Sequence, residues 1–172
     1  KDYDDLAGWA ERVGLVVPEV ADELRVFADS HSEKTQAVLD RARSMREALY
    51  RLFTARIEGR PTDPADVDLV NAELPAALAH SRIQPSEAGY VIGWPPEPQA
   101  LDSLLWPIAY SAADLLTNAE LLSRVGQCAD DRGCGWLFLD LTKNRSRRWC
   151  SMRGCGNRAK AQRHYHRQQE AG

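Results

Sequence analysis

The sequence predicts a mainly α-helical fold, in which a helical N-terminal domain with one small β-hairpin precedes a small module of knuckle, β-hairpin, knuckle and helix. We place the helical domain at residues 1–125 and the module at residues 126–172. Apolar residues recur every three or four positions over most of the first 125 residues, which is the period of an amphipathic helix. All four cysteines lie between residues 128 and 155, which sets that segment apart from the rest of the chain.

Four helices are predicted in the first half of the chain, over residues 4–13, 18–30, 32–57 and from 64 to about 79. Gly14 is a favourable stop for the first helix. Gly59 and Pro61 end the third, and Thr62 or Asp63 can cap the fourth.

The stretch from Ser81 to Trp94 changes character and predicts the hairpin, with strands at 81–84 and 90–94. Residues 101–116 then predict an apolar helix in which Pro107 requires a kink or a shifted start. A short helix from Asn118 to Val125 is expected to lead into the module.

The net charge of −3 conceals a strong asymmetry along the chain. Residues 143–172 carry nine basic and one acidic side chain, a net charge of +8, whereas the preceding residues carry 13 basic and 24 acidic ones, a net of −11. A basic segment of this density indicates contact with a polyanion such as nucleic acid. A solvated tail that only aids solubility is the alternative interpretation.

Several classes of protein are disfavoured by the sequence. No run approaches about 18 uninterrupted apolar residues, so no transmembrane helix is predicted, and there is no secretory start. His31 and His80 are isolated and the carboxylates are scattered, so we predict no catalytic site and no enzyme. The chain begins at Lys1 inside a helix-like pattern, from which we expect native residues ahead of it.

The cysteines form two short-spaced pairs, Cys128-x5-Cys134 and Cys150-x4-Cys155, separated by fifteen residues. Such pairs suit a tetrahedral site in which four thiolates hold one structural zinc ion. An iron–sulfur cluster also uses four cysteines, and two disulfides or free thiols are the remaining alternatives. A closed four-sulfur site leaves no open position for substrate, which argues against metal-assisted catalysis.

The residues around the cysteines predict the rest of the module. Residues 135–140 are expected to form a strand, 143–146 a turn, 147–149 a returning strand and the segment after Cys155 a helix. This order is that of a treble-clef zinc finger. We expect Trp136, Phe138 and Trp149 to pack against the knuckles and the last helix, with Ala161 and Tyr165 on the side of that helix that faces them. The candidate nucleic-acid contacts are Lys143, Arg145, Arg147, Arg148, Asn157, Arg158, Lys160, Arg163 and Arg167.

The runs Cys134–Asp140, Arg147–Met152 and Cys155–Lys160 resemble the CGNR zinc finger, whose name spells residues 155–158. The helical part is similar, less specifically, to the ABATE domain that usually precedes this finger, in Met45–Leu49, Asn71 and Ser111–Leu116. The resemblance implies four cysteine ligands for zinc and a bacterial, cytoplasmic transcription regulator that binds DNA through the finger. It also implies a strand and helix ahead of Asp4.

On this interpretation the helical domain senses an unidentified small-molecule effector or forms a homodimer. The main alternative is that the finger binds a protein or an RNA and does not bind DNA directly. An enzyme in the helical domain is a third hypothesis, which lacks a motif.

Overall fold

The computed structural model describes residues 2–130 and 132–170. Its helices are α1 to α7 and its strands are β1 to β4, with one 3-10 turn and one π-helical turn between them. In chain order they are α1 Tyr3–Arg12, α2 Pro18–Asp29, α3 Ser32–Glu58, α4 Pro64–His80, β1 Arg82–Ser86, β2 Gly89–Gly93, the 3-10 turn Leu101–Leu104, α5 Trp106–Thr117, α6 Ala119–Leu122, β3 Val125–Gln127, β4 Leu137–Leu139, the π-helical turn Met152–Gly156 and α7 Asn157–Glu170. The predicted mainly α fold with a small hairpin and a C-terminal cysteine module is confirmed.

The chain divides into two compact units. The first unit comprises the described residues up to Arg51 together with Asp63–Leu116. The second unit comprises Leu52–Thr62 and the described residues from Thr117 onward. The last turns of α3 therefore group with the cysteine module, although the sequence suggested that the whole helix belongs to the N-terminal domain.

The core of the first unit forms where α1 to α5 and the 3-10 turn bring apolar side chains together. Leu24, Leu104, Leu105 and Trp106 are its largest fully buried side chains. The Tyr3 hydroxyl donates a hydrogen bond of 2.8 Å to the carbonyl of Leu101, so its polar end is satisfied in the interior.

Local sequence signals set the helix boundaries. Asp63 caps α4 through a hydrogen bond from the Ala65 amide, and Pro64 occupies the first turn, as predicted. Pro107 lies in the first turn of α5, which begins at Trp106, so the predicted shifted start is confirmed. No helix in the described part of the chain combines the length and the apolar character needed to cross a membrane.

The β1–β2 hairpin is tighter than expected. Ser86 pairs with Gly89, so only residues 87 and 88 form the turn, and the φ of Gly89 is 128°. Ile83, Tyr90 and Val91 are exposed on this two-stranded sheet.

Two predictions about the cysteine module are wrong. Val125 is the first residue of β3, whereas it was predicted to end a helix. Residues 147–149 form no returning strand, and the partner of β4 is β3. A Cβ at Gly126 would lie 2.9 Å from the Phe138 ring, so a larger residue there would require the ring to shift. The amide of Arg147 instead donates to the Asp140 carboxylate, at 2.8 Å.

Asp66 is a buried carboxylate whose partner is Arg51, with nitrogen–oxygen distances of 2.6 and 3.0 Å. The hydrogen bond from Arg51 holds the pKa of Asp66 below its ordinary value. Because the folded-state pKa is the lower one, the stabilisation is complete above about pH 4 and is lost as the pH falls through the folded-state value.

We therefore expect Asp66→Asn to lower stability at neutral pH and to flatten the acid side of the stability curve. Chemical denaturation between neutral and acidic pH measures both effects. Asp68→Asn, which changes an exposed carboxylate on the same helix, is the matched control. Parallel pH curves for the wild type and Asp66→Asn would contradict the assignment.

Candidate metal centre

The four cysteines meet where the two knuckles of the second unit approach each other. Cys128 follows β3, Cys134 precedes β4, Cys150 precedes the π-helical turn and Cys155 lies within it. Their sulfur atoms all lie within 4.8 Å of one another. The Sγ atoms of Cys134 and Cys150, and those of Cys150 and Cys155, are 3.7 Å apart.

These distances fit one tetrahedral ion. Four sulfurs about 2.3 Å from a zinc ion are about 3.8 Å apart along each edge of the tetrahedron. A disulfide requires a sulfur–sulfur distance of about 2.05 Å, and all four cysteines are free. An iron–sulfur cluster distributes its thiolates over more than one iron, which a group this compact does not favour. The four cysteines can therefore hold one zinc ion.

Backbone hydrogen bonds fix the two knuckles relative to each other. The Cys128 amide donates to the carbonyl of Trp136, at 2.8 Å, and closes the first knuckle. The Ala129 amide donates to the carbonyl of Arg148, also at 2.8 Å, and ties the first knuckle to the chain entering the second. Gly133 and Gly135 have φ values of 78° and 66°, which favour glycine and allow the chain to turn back toward β4.

Burial favours the neutral form of two of the four cysteine thiols. Burial, together with the hydrogen bond to Asp130, raises the pKa of the Cys155 thiol well above its ordinary value. Burial also raises the pKa of Cys150. A metal ion held by the four cysteines would displace these protons and offset the repulsion among the thiolates, so metal binding and folding of the second unit would be coupled.

Arg158 connects the metal centre to the first knuckle. Its Nη2 donates to Asp130 Oδ2 at 2.6 Å and to Cys155 Sγ at 3.0 Å. The Asp130 side chain is 3% exposed, and it also accepts a hydrogen bond from the amide of Arg132. We call Arg158, Asp130 and the Cys155 sulfur the clamp. Sequence reasoning missed Asp130, because no spacing rule relates it to an arginine 28 residues later.

A second buried carboxylate, Asp140, organises the loop after β4. It accepts hydrogen bonds from the Thr142 amide, the Thr142 hydroxyl and the Arg147 amide, at 2.6 to 2.9 Å. The Arg147 guanidinium donates to the carbonyls of Leu139, Trp149 and Cys150 and lies over the Phe138 ring. The Arg147 guanidinium, which is a predicted nucleic-acid contact, therefore also stabilises the structure of the finger.

The other predicted nucleic-acid contacts differ in their surroundings. Lys143, Arg145, Arg148, Asn157 and Lys160 are exposed. Arg148 lies over the Trp149 ring, 5.3 Å from its centroid. Arg163 and Arg167 belong to α7, but their side chains lie outside the part of the chain that the structure describes. Arg153 is a further exposed cation of the finger that the sequence analysis did not select.

The expected packing of the aromatic residues is only partly correct. Phe138 and Trp149 are partly buried, and Trp149 lies close to Gly156, the last residue of the π-helical turn. Trp136 and Tyr165 are 71% and 61% exposed, and Ala161 is exposed as well, so the prediction for these three residues is wrong. Ala159 and Gln162 are less exposed, which indicates that α7 is rotated relative to the predicted orientation.

Two family models match the chain. The ABATE model, described as "Putative stress-induced transcription regulator", matches residues 1–119. The CGNR zinc finger model matches residues 124–168. None of the curated proteins matches the chain.

Proposed function

This chain belongs to the ABATE family and carries a CGNR zinc finger, and from that premise we propose that it is a transcription regulator that binds duplex DNA through the finger. Neither matching family is an enzyme family. The resemblance to the CGNR zinc finger proteins supports the further proposal that it acts in the bacterial cytoplasm. The helical domain senses a small-molecule effector or forms a homodimer. The exposed apolar residues of the β1–β2 hairpin support contact of that domain with another molecule.

The observation that carries the proposal is a group of exposed cations on the finger, which we call the cationic surface. It consists of Lys143, Arg145, Arg148 and Lys160. None of these four side chains has a carboxylate partner within the described residues. Their charge is therefore available for phosphate groups, and each phosphate that they neutralise releases a counterion from the DNA.

The proposed role of the metal is structural. A zinc ion held by four thiolates has no open coordination position, so it supplies folding free energy to the finger and takes no part in a reaction. Through the clamp and the second knuckle, this folding also fixes the start of α7, which presents Lys160. Arg147 and Arg158 are occupied by internal contacts. We therefore assign the phosphate contacts to the cationic surface first.

We expect duplex DNA to bind the zinc-loaded protein at low salt, with an affinity that falls linearly on a logarithmic plot against salt concentration. Each phosphate contact contributes about 0.9 to the magnitude of the slope, so the triple variant Lys143→Ala, Arg145→Ala, Arg148→Ala should reduce the slope by up to about 2.7. Fluorescence anisotropy with a labelled duplex measures the affinity and its salt dependence.

The matched control removes three exposed cations from the first unit, Arg12, Lys34 and Arg46, and should leave the slope unchanged. An equal decrease of the slope in both triple variants would show that DNA is attracted nonspecifically by the charge of the whole protein. No binding at low salt by the zinc-loaded protein would refute the proposal, and co-purification of a protein or RNA partner would then favour the interaction-module alternative.

A further inference from the structure

The loop that follows Asp140 contains a residue with a disfavoured backbone conformation, which closes the turn formed around Lys143 and Asn144. We call residues 142–146 the tip loop. Arg145 has a φ of 49° and is the only residue other than glycine with a positive φ in the described part of the chain. Side chains disfavour this conformation because the Cβ approaches the backbone carbonyl oxygen. Such strain persists only where surrounding contacts enforce it, and it is concentrated at functional positions.

The base of the tip loop supplies those contacts. Thr142 is held by Asp140, and its hydroxyl accepts a hydrogen bond of 3.1 Å from the amide of Ser146. The amide of Arg145 donates to the Thr142 carbonyl at 3.3 Å. Both ends of the tip loop are therefore fixed, and the position from which the Arg145 side chain leaves the backbone is fixed as well. Because the backbone at Arg145 is already ordered, only its exposed side chain has to be ordered when it binds.

The tip loop is short, basic and exposed. Residues 142–146 are all exposed, and they contain two cations and no carboxylate. They form a single irregular turn, since the returning strand that would have made a β-ribbon does not exist. The major groove of DNA is about 12 Å wide and accommodates a helix or a two-stranded ribbon, whereas the minor groove is about 6 Å wide and suits a single inserted side chain.

We infer that Arg145 enters the minor groove of A·T-rich duplex DNA, while Lys143 contacts the adjacent phosphate backbone. This inference rests on the proposed DNA-binding function. Stretches of A·T pairs have a narrow minor groove with an enhanced negative potential, which selects inserted arginines. Arginine suits this position better than lysine because its guanidinium is less strongly hydrated and is easier to bring into a confined groove.

The test compares two duplexes of equal length, one with a central run of A·T pairs and one with G·C pairs there. We expect the zinc-loaded full chain to prefer the A·T duplex. Arg145→Gly should weaken binding to that duplex by about tenfold and remove most of the preference. Its midpoint of thermal unfolding should be unchanged or higher, since glycine adopts a positive φ without a steric penalty.

Two further variants separate insertion into the groove from charge. Arg145→Lys keeps the charge, and it should lose the A·T preference while still binding both duplexes. Lys143→Ala should weaken binding to both duplexes by a similar factor, as expected for a phosphate contact. A ligand that occupies the minor groove of A·T-rich DNA should compete with the wild type and not with Arg145→Lys.

Failure of the inference and failure of the proposed function give different results. If the wild type binds both duplexes equally, or if Arg145→Gly and Lys143→Ala have the same effect on each duplex, insertion in the minor groove is wrong and DNA binding stands. If the wild type binds neither duplex at low salt, the proposed function fails and the inference fails with it.

Discussion

Replacing Cys155 with serine is expected to abolish zinc binding and to unfold the second unit, while the helices of the first unit remain. Cys155 is buried beside Cys150, with 3.7 Å between their sulfur atoms, and removing one thiolate opens a site that requires all four. Structural zinc contributes about 10–16 kcal/mol of apparent binding free energy in finger peptides. That is comparable to or larger than the stability of an ordinary domain, about 5–15 kcal/mol.

Zinc content by elemental analysis and backbone protection by hydrogen exchange measure the two effects. We expect protection to fall in β3, β4 and the last turns of α3, because Leu52–Thr62 belong to the second unit. Arg153→Ser changes an exposed side chain in the same knuckle and is the matched control. If Cys155→Ser kept one zinc ion per chain and full protection of β4, the cysteine site would be wrong.

Replacing Arg158 with alanine is expected to lower the zinc affinity by about 10- to 100-fold, the usual effect of losing a partner of a metal ligand. Arg158 donates to the Cys155 sulfur at 3.0 Å and to the buried Asp130 carboxylate at 2.6 Å. Without it, the thiolate loses a hydrogen bond and Asp130 loses its counterion, so two negative groups are left uncompensated.

Competition with a chromophoric chelator measures the affinity directly. Lys160→Ala removes an exposed cation from the same helix, so it controls for a general loss of positive charge. Equal zinc affinities for Arg158→Ala and Lys160→Ala would show that the clamp does not act on the metal site.

Local signals in the sequence were sufficient for helices α1 to α4 and for the cysteine cluster. Asp63 and Pro64 mark the start of α4 because capping and a fixed φ act within one turn. The four cysteines could be grouped because short spacings form knuckles without help from distant residues. The match to the CGNR zinc finger rests on the same segment, residues 124–168.

Contacts between distant residues could not be predicted in this way. The helical formers before Val125 suggested a longer helix, but pairing with Leu139 makes that residue part of a strand. Arg147 and Arg158 are candidate DNA contacts by composition, but composition does not reveal that Arg147 also binds backbone carbonyls and that Arg158 also binds a buried carboxylate. Trp136 is predicted to pack in the finger because it is a large aromatic residue, but its side chain is exposed at the surface.

The measurement that tests the proposed function most directly is the DNA affinity of one sample before zinc removal, after removal and after restoration of zinc. We expect duplex binding to disappear when a chelator removes the ion and to return with one equivalent of zinc, because the metal fixes the finger that carries the cationic surface. Unchanged DNA affinity in the zinc-free protein would contradict a zinc-dependent DNA-binding finger.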